Sequence, residues 1–76
     1  MLESNMRRYK VGKSFGRKIQ KVRRELGVTQ EELAHRVGLS RNHMGRIERG
    51  ESNPPLSLVE KIAHALKVKS SNLLPF

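Results

Sequence analysis

The chain has 76 residues, 36% of them hydrophobic, no cysteine or tryptophan, and a formal charge of +9. This composition excludes a disulfide scaffold and a cysteine-based zinc site, and it points to one small domain with an aliphatic core close to marginal size. Sixteen Lys and Arg against seven Asp and Glu call for a polyanionic partner, nucleic acid ahead of an anionic membrane.

No apolar run approaches the roughly 20 residues of a membrane span. The N-terminus lacks the apolar segment of a secretory signal. A cytoplasmic protein is the expectation.

Residues 1–10, "MLESNMRRYK", show no helical period and carry Arg7, Arg8 and Lys10. They read as a flexible basic arm able to trail along phosphates, with a frayed terminus of no role as the competing reading. Residues 11–76 read as a single helical domain.

Phe15, Ile19, Val22 and Leu26 fall on one helical face, with Ser14 as the expected N-cap and Gly27 just past the end. Thr29-Gln30-Glu31-Glu32 spells a capping box. The Thr29 hydroxyl is expected on the Glu32 amide, the Glu32 carboxylate reaching back, and Val28 and Leu33 stapling the turn. Leu33, Ala34 and Val37 face inward until Gly38 stops this second helix.

Ser40 caps a third helix with Met44 and Ile47 inward, and Gly50 ends it. "ESNPPLS" is a connection whose prolines bar helix before them and favour one after. Leu56, Val59, Ile62, Ala63 and Leu66 give a fourth amphipathic helix, and Ser70 or Ser71 caps a last short turn. The expected fold is all-α: a compact five-helix bundle without strands or repeats.

Two short helices joined by a few residues containing Gly38 have the form of a DNA-binding helix-turn-helix. On a helical wheel Arg41, Asn42, Gly45, Arg46 and Arg49 face outward, opposite Met44 and Ile47. Such a helix, oily behind and cationic in front, can lie in a major groove. There Arg can grip guanine O6 and N7, and Asn can do the same at adenine N6 and N7. Gly45 lowers helix propensity by about 1 kcal/mol relative to Ala, a cost that close approach to DNA would explain. The helix starts at Thr29-Gln30 and Ser40-Arg41 offer free N–H groups to phosphates, and His43 is a further phosphate candidate. Gln30 is placed to bond both a phosphate and Arg41. A solvated basic face on a generic bundle is the competing reading.

The stretch "GVTQEELAHRVGLSRNHMGRIERG" resembles the helix-turn-helix of lambda-repressor-like regulators, over about residues 12–74. Gln30, Leu33, Ala34, Gly38, Leu39, Ile47, Glu48 and Gly50 match that family's pattern, and "NPPLSLVEKIAHALKV" is similar to its fourth helix. The resemblance implies base reading by Arg41, Asn42, Gly45 and Arg46. It implies phosphate contacts by Gln30 and near the start of helix four, for which Asn53 is the candidate; Thr29, Ser40, His43 and Arg49 complete the expected phosphate set. It also implies a partly buried ion pair between Arg23 and Glu48. Size makes the chain most similar to restriction–modification controller proteins and small phage or plasmid repressors. Pro55 and Lys67 depart from the pattern, where relatives often have Ser and Gly.

His35, His43 and His64 do not form a metal-ligating set, and "VGKSFG" lacks the spacing of a phosphate loop. No enzyme activity, metal, cofactor or small-molecule ligand is expected. Leu66, Val68, Leu73, Leu74 and Phe76 concentrate apolar surface near the C-terminus, partly to cover the core and partly, by expectation, to form a homodimer interface. A monomer whose tail closes its own core is the competing reading. The expected function is transcription regulation by a homodimer on a palindromic operator in double-stranded DNA, with the recognition helix at about residues 40–49 and RNA polymerase as a further partner. A protein-interaction module of antitoxin or coactivator type remains the alternative.

Overall fold

The computed structural model describes the backbone of residues 2–73 and the side chains of residues 12–73. It contains α1 (Leu2–Glu25), α2 (Gln30–Val37), α3 (Arg41–Glu48) and α4 (Leu56–Leu66), followed by a 3₁₀ turn at Ser70–Asn72. Of the fifth helix expected at the C-terminus, the described residues show this 3₁₀ turn, and residues 74–76 of the expected "NLLPF" turn lie outside them. Ser70 and Ser71 lie within the 3₁₀ turn, and Lys69 precedes it without a side-chain cap.

Helix α1 starts at Leu2 instead of at a Ser14 cap, so the backbone of residues 2–10 is helical where the sequence suggested an arm. The apolar period that reveals an amphipathic helix requires a core to face. Residues 2–10 lack that period, but Leu2, Glu3, Met6, Arg7, Arg8 and Lys10 are good helix formers without Gly or Pro among them.

All four α-helices end alike. After α1, Gly27 N–H donates to the Arg24 carbonyl and Val28 N–H to Arg23. The same pair of bonds recurs at Gly38 and Leu39, at Gly50 and Glu51, and at Lys67 and Val68. Each pair is a Schellman closure around a left-handed residue, which satisfies carbonyls the helix leaves open. Three of these residues are glycines, with φ of 70°, 77° and 77°; the fourth is Lys67, at φ 59°. This closure displaces Leu26 from the apolar face it was expected to join. Leu26 stands past the last turn of α1, 54% exposed, and Val28 folds under the helix end into the core instead.

The core is built from Phe15 and Ile19 of α1, Leu33, Ala34 and Val37 of α2, Met44 and Ile47 of α3, and Val59, Ile62, Ala63 and Leu66 of α4. Helix α3 packs on α1 and α2, while α2 also packs on α4 and α4 meets the 3₁₀ turn. Leu56, expected on the inner row of α4, is 62% exposed: it begins the helix directly after Pro55, and the inward row starts at Val59.

Leu66 and Leu73 were expected at a homodimer interface. They are 1% and 0% exposed inside this chain's own core, because the short bundle needs both to close its end. Val68 is half-buried against the same core. Leu74 and Phe76 lie outside the described residues. No helix among the described residues is long and apolar enough to cross a membrane.

Candidate nucleic-acid interface

Both helices of the central pair start on a hydroxyl cap. Thr29 Oγ1 accepts from the Glu32 N–H, and Ser40 Oγ accepts from the His43 N–H, each at 3.0 Å. Each hydroxyl keeps its own hydrogen for another acceptor. The reciprocal half of the expected capping box is replaced. Glu32 Oε2 instead takes a 2.7 Å bond from Arg36 Nη2 one turn along, where both partners are charged. The staple residues Val28 and Leu33 are buried, and Leu39 packs half-buried in the turn. Arg36 also donates to the Ala65 carbonyl at 3.3 Å, tying α2 to α4.

Behind α3 lies a buried ion pair. Arg23 Nε donates to Glu48 Oε2 at 2.7 Å and Nη2 to Oε1 at 2.9 Å, while Nη1 donates to the Val28 carbonyl at 3.0 Å. Glu48 Oε1 accepts a second bond from Gln30 Nε2 at 3.2 Å. The expected Gln30–Arg41 bond is not formed among the described residues: Gln30 Nε2 donates to Glu48, and Oε1, the atom that could accept from Arg41, lies over Gly45.

The front of α3 carries exposed Arg41, Asn42, Arg46 and Arg49. These four, with Gln30 and Gly45, line one shallow cleft. Gly45 differs from expectation: it is buried, not presented. A Cβ there would lie 3.1 Å from Arg49 Nη1 and 3.5 Å from Gln30 Oε1. Its missing side chain therefore makes room for those two polar groups, which cover it and form the cleft floor together with it. His43 is half-buried beside the cap, and exposed Asn53 stands apart on the connection before α4, beside Gly12.

Sequence reasoning missed Glu51. Its N–H closes α3 on the Arg46 carbonyl at 2.8 Å. Its carboxylate then takes Arg49 Nε at 2.9 Å and Nη2 at 3.3 Å. That hydrogen bond is the main cause of a raised Arg49 pKa, and it holds the Glu51 carboxyl below the usual carboxylate range. The available signal was an acid one residue past the glycine stop of a cationic helix.

His35 and His64 lie away from this face, in a groove between α2 and α4. Among the described residues no group of three or more potential metal ligands occurs.

Two short capped helices, a three-residue turn and an exposed polar second helix with buried backing define a helix-turn-helix domain. The chain belongs to the helix-turn-helix family, whose sequence model matches residues 19–73. It is similar to an uncharacterized HTH-type transcriptional regulator of Methanothermobacter thermautotrophicus, 50% identical over 48 residues, 63% of this chain and 70% of that protein. Control protein C.BamHI of Bacillus amyloliquefaciens is 40% identical over 63 residues, covering 82% of this chain and 78% of the relative. Among solved structures, the restriction-modification controller protein C.AhdI from Aeromonas hydrophila superposes with a TM-score of 0.76 at 37% identity, over 79% of this chain and 87% of that one. The resemblance to lambda-repressor-like regulators and to controller proteins thus holds over most of the chain, residues 19–73 included.

Proposed function

We propose that this protein is a transcription regulator that binds double-stranded DNA sequence-specifically, with α3 in the major groove. The observation that carries this reading is the two-sided character of α3. Met44, Ile47 and Glu48 fix its inner side, while Arg41, Asn42 and Arg46 stand exposed on the other. Arg and Asn are the side chains whose paired hydrogen bonds discriminate guanine and adenine in that groove. Gln30, the Thr29 and Ser40 hydroxyls and the N-termini of α2 and α3 then face the flanking phosphates, with His43 and Asn53 as further backbone contacts.

One short helix reads only a few base pairs, too few to single out one site among roughly 10⁶–10⁹ competitors. A homodimer on a palindrome doubles the sequence read and places two copies of α3 about 34 Å apart. With Leu66 and Leu73 committed to the core, Val68 is the described member of the C-terminal set that stays partly exposed for that interface. The similarity to a control protein and a restriction-modification controller protein supports a regulatory role; control through protein concentration and dimerisation belongs to the same proposal.

Selection of bound duplexes from a random pool, with sedimentation of the complex, tests the reading. The expected outcome is a palindromic consensus with half-sites one helical turn apart, bound by two chains. Recovery of unenriched sequence would overturn it.

A further inference from the structure

We infer that Glu51 is a specificity-determining residue: it holds Arg49 in the α3 cleft and withholds that guanidinium from DNA phosphates. The inference rests on the DNA-binding reading above and concerns how the same site rejects wrong sequence.

The geometry is built by the end of α3. Gly50 turns the chain in the left-handed conformation, and the Glu51 N–H returns to the Arg46 carbonyl at 2.8 Å. This bend fixes the Glu51 backbone directly below the helix end and sends its carboxylate back to Arg49. Two of the three guanidinium nitrogens, Nε and Nη2, are thereby bound to Glu51. The third, Nη1, lies over Gly45, where a Cβ would approach it to 3.1 Å. Arg49 is thus bound along one edge by the Glu51 carboxylate, and the missing Cβ of Gly45 leaves room for its Nη1. The Nε/Nη2 edge is the edge that grips a phosphate in paired fashion, and here an internal anion occupies it.

No acid is among the residues that line the cleft itself. Glu48 on the same helix is buried and bound to Arg23 and Gln30. Glu51 therefore subtracts one phosphate-binding unit from a surface whose excess of cations favours any duplex. Non-specific binding rests wholly on phosphate neutralisation, whereas a selected duplex is also held by base contacts, so withholding one phosphate-binding unit weighs more on the former.

The test compares wild type, Glu51→Gln, Arg49→Ala and the double variant on a selected duplex and on a random duplex across a salt series. Glu51 is exposed, so Glu51→Gln folds, and its thermal melt verifies this. Glu51→Gln is expected to bind the random duplex roughly five- to tenfold more tightly near 0.1 M salt, with its salt slope steeper by about 0.9 per subunit. The selected duplex gains less, so the specificity ratio falls. In the Arg49→Ala background the Glu51 substitution has no such effect. Glu60→Gln on α4, which removes the same charge away from the cleft, leaves the slope unchanged.

An unchanged slope for Glu51→Gln, or an equal gain on both duplexes, overturns the inference and leaves the DNA-binding reading standing. A wild-type protein without preference for any selected duplex overturns both.

Discussion

Glu48 Oε1 is shared by Arg23 from α1 and Gln30 from α2, so a single buried carboxylate joins three helices. Its side chain is 1% exposed and that of Arg23 11%. Removing one member of such a pair leaves a buried charge without its partner, whereas replacing both with apolar groups of similar volume is often tolerated. Glu48→Ala is expected to cost roughly 3–5 kcal/mol in urea unfolding. Combining Arg23→Met with Glu48→Leu should recover most of that loss. A double variant no more stable than Glu48→Ala would mean that the carboxylate stabilises through something other than this pair. Because Gln30 loses its anchor in both cases, DNA affinity is expected to fall even where stability returns.

Gly16 sits where α1 crosses the end of α3. A methyl group there would lie 2.5 Å from the Ile47 carbonyl oxygen and 2.6 Å from that of Glu48. Neither neighbour is a flexible side-chain tip, so the helices would have to part. Gly16→Ala is expected to destabilise by about 1–3 kcal/mol despite its better helix propensity. A rise in melting temperature would show that the crossing is looser than these distances require.

Lys67 holds the left-handed position that three glycines hold at the other helix ends, at φ 59°. An L-residue there pays about 1–2 kcal/mol in Cβ–carbonyl crowding, part of which returns as lower chain entropy when unfolded. Lys67→Gly should therefore raise stability by about 1 kcal/mol, read as a higher denaturant midpoint with an unchanged slope. A lower midpoint would indicate that the Lys67 side chain makes a stabilising contact exceeding this strain.

Arg46 is the exposed cation at the centre of the proposed reading face. Arg46→Ala is expected to weaken binding to the selected duplex by about 1–3 kcal/mol and to relax preference at one base position. Loss spread evenly over all sequences would instead mark Arg46 as a phosphate contact, and no loss at all would place α3 in the wrong orientation.

Local signals foretold most of the central architecture. The Thr29 and Ser40 caps, the Gly27, Gly38 and Gly50 stops and the inward rows of α2 and α3 are each written within a few residues, because caps and left-handed turns depend on nearby backbone. What escaped depends on tertiary company. The start of α1 has no period to reveal it. Gly45 reads as presented on a wheel, and only the crossing of α2 puts Gln30 over it. Leu66 and Leu73 look surplus in a sequence count, yet a bundle this small uses both. Arg49 and Glu51 are two residues apart, but their bond forms only because Gly50 reverses the chain between them. In the same way, competition from Arg36 for Glu32 is invisible in a motif that names only the capping partners.

Helix α3 is fastened at its start by Ser40, at its end by the Gly50 turn, and from behind by Glu48. A blade so firmly mounted has little room to tilt or slide toward an imperfect site. In the proposed complex accommodation then comes from the duplex, through groove width, twist and bending at steps the protein never touches. Operators with identical contacted bases but stiffer or softer intervening steps will consequently be graded by their mechanics.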